Sequence, residues 1–145
     1  MPASLKKLGD YAFRNCGELK SVILPQTLTT IGKHAFNGAN KATFYAEVSA
    51  RPSLWIGQWN SSNRPVVWGC TLSQDKSYVV SFVKTATSVV NTVATNGIAA
   101  PTRAGYVFAG WATSQGGSAV YTMENFMDAP NGTTLYTVWS EVQSN

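Results

Sequence analysis

Hydrophobic residues in the first third of the chain recur at a fixed interval, which predicts a repeated structural unit. Residues 8–13 read L-G-D-Y-A-F, and 23 residues later residues 31–36 read I-G-K-H-A-F. The same interval aligns Leu5 with Leu28, Cys16 with Ala39, Leu19 with Ala42, and Val22 with Tyr45. Self-similarity at this period is typical of solenoids, in which each coil buries its apolar face against the next coil.

Each repeat is predicted to contain one short strand and one tight turn. Residues 19–24 are mainly apolar and end at Pro25, which lacks the backbone N–H that a sheet ladder needs. Gly9 and Gly32 occupy equivalent positions, where a tight turn needs a backbone without the constraints of a Cβ atom. Phe13 and Phe36 fill successive layers of the core, and burial of each contributes roughly 1.5–3 kcal/mol relative to exposure.

These residues resemble the BspA-type leucine-rich repeats of bacterial surface proteins, whose pattern is I-G-x-x-A-F-x-x-C-x-x-L-x-x-V-x-L-P. Residues 8–25 follow the pattern almost throughout. The second repeat follows it as far as Phe36 and then departs, with Ala39 in place of Cys and Ala42 in place of Leu. The resemblance implies the last coils of a leucine-rich-repeat solenoid, which taper at their end.

Three tryptophans follow the repeats, among turn-forming Asn, Ser, Gly and Pro residues. Trp55, Trp59 and Trp68 lie within 14 positions, and residues 66–68 predict one closing strand. A solenoid end leaves apolar surface and strand edges open unless something covers it, so we expect this segment to form an aromatic cap. Because tryptophans also stack on sugars, the alternative is a carbohydrate-binding site formed by Trp55, Trp59 and Trp68.

A second set of strands follows a short polar stretch at residues 71–76, which we expect to be a linker. Strands are predicted at residues 78–83, 106–111 and 135–139. The motifs G-Y-x-F-x-G-W and L-Y-x-x-W are formed by Gly105, Tyr106, Phe108, Gly110, Trp111, Leu135, Tyr136 and Trp139. They resemble the Listeria–Bacteroides repeat, or internalin B-repeat, which implies a small β-grasp-like (ubiquitin-like) domain. The long Thr-, Val- and Asn-rich stretch before Pro101 departs from the short spacing of that family.

The predicted fold is therefore mainly β with little helix, in two domains. Residues 1–70 would form terminal leucine-rich-repeat solenoid coils with an aromatic cap. Residues 71–76 would be the linker, and residues 77–145 the β-grasp-like, B-repeat-like domain.

Composition and charge exclude several function classes. The net charge is +4, and residues 1–42 hold six Lys or Arg against Asp10 and Glu18. A basic face could attract anionic polymers, but no nucleic-acid motif or interleaved basic and aromatic pattern is present, so we expect no nucleic-acid partner. No apolar run approaches the roughly 18 residues of a membrane helix. We therefore expect no membrane insertion in this piece.

The residues that catalysis requires are scarce and scattered. His34 is the only histidine, and its alignment with Tyr11 predicts an exposed coil residue rather than a catalytic base. Cys16 aligns with Ala39, so we expect a small buried apolar residue, and a disulfide to Cys70 is not expected. The spacings of zinc and calcium sites are missing. We therefore expect no enzyme activity, no metal and no cofactor.

The two resemblances imply a non-enzymatic piece of a bacterial cell-surface or secreted protein, acting in adhesion or in interaction with a host or other protein. Its partner would be a surface protein or a glycan, with the C-terminal module as a stalk or secondary contact. A purely structural stalk is a further alternative. Because the chain starts inside a repeat, we expect the signal and anchor to lie outside it. For the same reason we expect self-association through the N-terminal coil.

Overall fold

The computed structural model describes residues 5–92 and 97–142, and this part of the chain is mainly β-structure, as predicted. Its one helix is a 3-10 turn at Phe126–Asp128. The strands are β1 (Lys7–Leu8), β2 (Ser21–Leu24), β3 (Thr30–Ile31), β4 (Thr43–Ala46), β5 (Val66–Val67), β6 (Cys70–Leu72), β7 (Val79–Lys84), β8 (Val89–Val90), β9 (Tyr106–Ala112) and β10 (Thr133–Glu141). Residues 1–4, 93–96 and 143–145 belong to the predicted domains but lie outside the described residues.

The repeated sequence folds into stacked units with two parallel ladders. In one ladder β1 pairs with β3, so that Leu8 lies opposite Ile31, and Trp55 continues it as a bridge to Ile31. In the other, β2, β4 and β5 run parallel. The chain therefore makes three units, which we call the first (residues 5–24), second (residues 25–46) and third (residues 47–67).

The register of the second ladder differs by one residue from the sequence alignment. Val22 pairs with Phe44, not with Tyr45 as the 23-residue interval predicts. Successive strand residues point to opposite faces, so this shift decides which side chain enters which core. Phe44 packs inside the stacked units, and Tyr45 points to the opposite face.

The sheet formed by β2, β4, β5 and β8, which we call the repeat sheet, separates two hydrophobic cores. The inner core lies between the stacked units and receives Val22, Leu24, Phe44 and Val66. The C-terminal core lies on the other face and receives Tyr45 and Val67, with Ile23 packed against it. Burial on both faces explains why these strands are apolar at consecutive positions rather than at alternate ones.

A second sheet, which we call the C-terminal sheet, has the order β6-β7-β10-β9 and is antiparallel at every pairing. Its buried face supplies Phe82, Trp111 and Leu135 to the C-terminal core. The 3-10 turn adds Phe126, whose ring stacks on Trp111 with 5.7 Å between centroids. Trp111, one of the residues of the predicted motifs, therefore packs against Phe82 and Phe126 in this core.

Two strands cross the predicted boundary between the domains. Residues 71–76 were expected to be a linker, but Thr71 and Leu72 lie in β6, which pairs with β7. The linker prediction is wrong for these residues, because Leu72 and Cys70 are buried in the C-terminal core. In the other direction, β8 leaves the C-terminal part and pairs antiparallel with β5 at the edge of the repeat sheet.

Candidate functional site

The three tryptophans proposed from the sequence as a sugar site lie together, but mostly inside the molecule. Trp55 is 0% exposed and Trp59 is 4% exposed, while Trp68 is half-buried. The ring centroids are 5.3 Å apart for Trp55 and Trp59, and 5.8 Å apart for Trp55 and Trp68. The Trp55 indole N–H donates to the carbonyl of Leu28 at 2.9 Å.

This geometry does not support a sugar platform. Such a platform needs at least two coplanar exposed rings, whereas the planes of Trp55 and Trp59 meet at 64°. Trp59 also packs against Phe36 and Phe44 of the second unit. Trp55 and Trp59 thus supply the largest apolar side chains of the third unit to the inner core, and Trp68 packs against them.

The junction between the repeat sheet and the C-terminal part is held by hydrogen bonds that the sequence did not indicate. The Tyr45 hydroxyl donates to the carbonyl of Ala99 at 2.5 Å, and the Ala99 N–H donates to the hydroxyl of Thr43 at 2.8 Å. Burial, and to a smaller extent Cys70, raises the pKa of Tyr45. The hydroxyl therefore stays protonated and keeps its role as a donor.

Arg64 makes a second connection at this junction. Its side chain is buried, and it donates to the carbonyl of Ala42 at 2.7 Å and to that of Gly97 at 2.9 Å. Burial lowers the pKa of the guanidinium, but a buried arginine stays charged because its pKa starts so high. The charged guanidinium therefore links backbone carbonyls of two parts of the fold through hydrogen bonds.

An ion pair adds a third connection. The Lys76 ammonium lies 2.6 Å from a carboxylate oxygen of Glu47, and both side chains are largely shielded from solvent. The other Glu47 oxygen accepts the N–H of Gln26 at 2.8 Å. Close by in sequence, hydroxyls of Ser77 and Ser73 donate to Asp75 and lower the pKa of its carboxyl. These contacts order the turn that the sequence predicted to be a short linker.

An accessible groove of about 410 Å³ lies beside β2, at the outer edge of the repeat sheet. Phe13, Leu19 and Phe36 form apolar walls, and Ser77 and Thr102 of the C-terminal part line it as well. Both parts of the chain therefore build this groove. It is the candidate binding site that the described residues offer.

A smaller cavity of about 160 Å³ on the C-terminal sheet is lined by Tyr78, Arg103, Thr137 and Trp139, among others. Its polar groups are already engaged. The Trp139 indole N–H donates to the Thr137 hydroxyl at 2.9 Å, and the Arg103 guanidinium lies 4.1 Å from the ring centroid of Tyr78. The arrangement is a structural packing of the side chains, so we assign no ligand to it.

The described residues show no constellation suited to catalysis. His34 is half-buried and stacks on Tyr11 at 5.4 Å. Cys16 and Cys70 are both free thiols, and burial, followed by the charge of Glu47, raises the pKa of Cys70. Within residues 5–92 and 97–142, no group of three His, Cys, Asp or Glu residues could hold a metal ion. None of their helices is long and apolar enough to cross a membrane.

Comparison with protein families matches both parts of the chain. Residues 1–50 match the family model described as BspA type Leucine rich repeat region (6 copies), and residues 75–138 match that of the Listeria-Bacteroides repeat domain. The chain carries a BspA type leucine-rich-repeat region followed by a Listeria-Bacteroides repeat domain. Searches of curated proteins and of solved structures gave no match.

The two repeat families have the same biological setting. Both are typical of bacterial surface proteins, and both are typically non-enzymatic modules. In this chain the leucine-rich-repeat region supplies the first two units. The third unit and β6 connect it to the Listeria-Bacteroides repeat domain, which contains β7 to β10.

Proposed function

We propose that this chain is a non-enzymatic interaction segment of a bacterial cell-surface or secreted protein, used in adhesion to a host or bacterial surface. Its leucine-rich-repeat region would contact the partner. The Listeria-Bacteroides repeat domain would hold that region in place and serve as a stalk or secondary contact. The typical occurrence of both families in surface proteins supports this setting.

The finer description of the fold is part of this proposal. We interpret the three stacked units as end coils of a leucine-rich-repeat solenoid, because both of their ladders are parallel and both continue into the third unit. The β-grasp-like description of residues 77–145 stays a prediction. A four-stranded sheet with one buried face supports it, although the sheet is antiparallel throughout its described strands.

The observation that carries the proposal is the shared repeat sheet. Its outer face, where Tyr45 and Val67 point, is covered by the C-terminal core. The two edge strands of the sheet are β8 and β2, and the groove of about 410 Å³ lies beside β2. We therefore assign the recognition of a partner to this groove, which the repeats and the C-terminal part build together.

Binding to cells tests this function directly. Beads coated with the full chain should bind cultured epithelial cells or bacterial cells in a saturable way, and free chain should compete. Protease treatment of the cells should abolish binding to a protein partner, whereas periodate oxidation should abolish binding to a glycan. If neither cell type binds the beads, the interaction role fails and the purely structural stalk is the better description.

Two sequence-based alternatives fare differently. The burial of Trp55 and Trp59 counts against a carbohydrate-binding module built on those rings. Self-association through the first unit stays a prediction, and sedimentation velocity of the chain measures it.

A further inference from the structure

The edge strand β2 offers unused backbone groups to a partner. On one side, the carbonyls of Lys20 and Leu24 accept hydrogen bonds from the N–H groups of Thr43 and Glu47. Alternate residues of a parallel strand bond to the same neighbour, so the N–H and C=O groups of Ser21 and Ile23 point to the other side. Among the described strands none pairs with that side of β2.

The groove lies directly alongside these backbone groups. Ser21 and Ile23 line it together with the apolar side chains of Phe13 and Leu19. An extended segment placed there would bond to β2 and insert an apolar side chain between the aromatic and aliphatic walls. This combination of main-chain bonding and a side-chain pocket is the usual basis of recognition by strand addition.

The charges of the first unit indicate which charge a segment bound along β2 would carry. Its two acidic groups are engaged with the second unit: Asp10 accepts the N–H of Lys33 at 2.8 Å, and Glu18 lies 3.7 Å from Lys41. The basic residues of this unit are Lys6, Lys7, Arg14 and Lys20. Their side chains are exposed, and none of them forms an ion pair with a described residue. The first unit therefore carries a net positive charge.

We propose that the open edge of β2 binds an extended, acidic segment of a partner protein, which adds to the repeat sheet as a further strand. This inference rests on the proposed interaction function and names the chemistry of the partner. A second copy of the chain would bring the same basic residues against each other, so charge favours an acidic partner.

A designed peptide and a matched pair of variants test the backbone part of the proposal. The probe is a fluorescein-labelled, end-capped peptide with Thr-Val-Thr-Val between two pairs of glutamates, and binding is followed by fluorescence anisotropy. Ser21→Pro removes an outward N–H and leaves the bonds from β2 to β4 intact, whereas Ser21→Ala keeps that N–H. We expect Ser21→Ala to bind like the wild type and Ser21→Pro to bind at least about tenfold more weakly.

Charge reversal tests the electrostatic part without altering the strand. Arg14→Glu and Lys20→Glu should each weaken binding, and added salt should weaken binding to the wild type. Lys84→Glu, on β7 of the C-terminal sheet, is the control and should bind like the wild type. A version of the peptide with lysines in place of the glutamates should not bind.

Three results would overturn the proposal. One is equal binding of the acidic and basic peptides, and another is binding that none of the Ser21→Pro, Arg14→Glu and Lys20→Glu variants weakens. The third is a dimer in sedimentation velocity that Ser21→Pro dissociates, because a second copy would then occupy the edge. The outcome in which the Ser21→Pro variant still binds cells in the bead assay but no longer binds the peptide separates the two proposals. In that case the adhesion function stands and the edge of β2 is not its site.

Discussion

The hydroxyl of Tyr45 donates a hydrogen bond to the carbonyl of Ala99, 54 positions further along the chain. Tyr45 belongs to the leucine-rich-repeat region, and Ala99 follows β8 in the Listeria-Bacteroides repeat domain. The ring of Tyr45 is fully buried in the C-terminal core. One side chain therefore couples the two repeat types through both packing and hydrogen bonding.

Tyr45→Phe should lower the free energy of unfolding by about 1 kcal/mol, because it removes this bond and leaves the Ala99 carbonyl unpaired. The variant should still unfold in a single transition, as measured by urea denaturation followed by tryptophan fluorescence. Tyr136→Phe is the matched control, since the Tyr136 hydroxyl has no such bond among the described residues. Equal stability of the two variants would contradict the role of the hydroxyl.

Gly32→Ala and Gly9→Ala form a second matched pair, because the two glycines are equivalent in the repeat. A Cβ atom on Gly32 would lie 2.5 Å from the backbone nitrogen of Asp10, whereas one on Gly9 would meet no described atom within 4 Å. Gly32→Ala should lower the unfolding free energy by about 1–3 kcal/mol, and Gly9→Ala should change it by less than about 0.5 kcal/mol. Differential scanning calorimetry compares the two, and similar melting temperatures would contradict the stacking.

Trp55→Ala should destabilise the chain by about 3–5 kcal/mol, because it removes a fully buried ring and breaks the bond to Leu28. Trp68→Ala, at a half-buried position, should cost clearly less. Guanidinium denaturation measures both. Wild-type stability of Trp55→Ala would show that the ring is not part of the core and would restore the sugar hypothesis.

Residues 77–142 on their own should not fold cooperatively. Without the rest of the chain, the C-terminal core loses Tyr45, Val67 and the strand β6, and β8 loses its partner β5. The isolated segment should show poorly dispersed amide resonances and bind a hydrophobic dye, whereas the full chain should give dispersed signals. A sharp thermal transition in the isolated segment would show that it is an independent domain.

Stability should fall at alkaline pH partly because of Cys70. Burial raises the pKa of its thiol, so the unfolded chain releases a proton near pH 9 that the folded chain keeps. This contribution is fully present below pH 9 and is lost as the pH rises further. Between pH 7 and about pH 10.5, Cys70→Ala should lose about 2 kcal/mol less unfolding free energy than the wild type. Cys16→Ala is the control, and an equal loss in both variants would contradict the assignment.

The repeat could be predicted from the sequence because each unit meets an almost identical neighbour. Phe13 stacks on Phe36 with 5.4 Å between ring centroids, and Tyr11 stacks on His34, as the 23-residue interval requires. A left-handed backbone conformation also recurs at this interval, since Tyr11 and His34 have φ angles of 59° and 54°. The role of Gly32, by contrast, is a close approach of the neighbouring unit and not a left-handed turn.

The shared sheet could not be predicted in the same way. The third unit matches the second in backbone hydrogen bonds but not in residue type, as Trp55 opposite Ile31 shows. β8 has two residues within a Thr-, Val- and Asn-rich stretch that is compatible with either an irregular strand or a short helix, and in the fold it pairs with β5. The candidate groove was missed for a similar reason. It joins the first unit to Ser77 and Thr102, which are distant in sequence.

The pairing of β8 with β5 sets an order for folding during synthesis. The three repeat units leave the ribosome first. The free edge of β5 stays unpaired until residue 90 has left the exit tunnel. For that interval the nascent chain presents an unfinished sheet with its outer face uncovered, a state that chaperones recognise and that neighbouring chains can join. The Listeria-Bacteroides repeat domain therefore determines when the leucine-rich-repeat region before it becomes a finished structure.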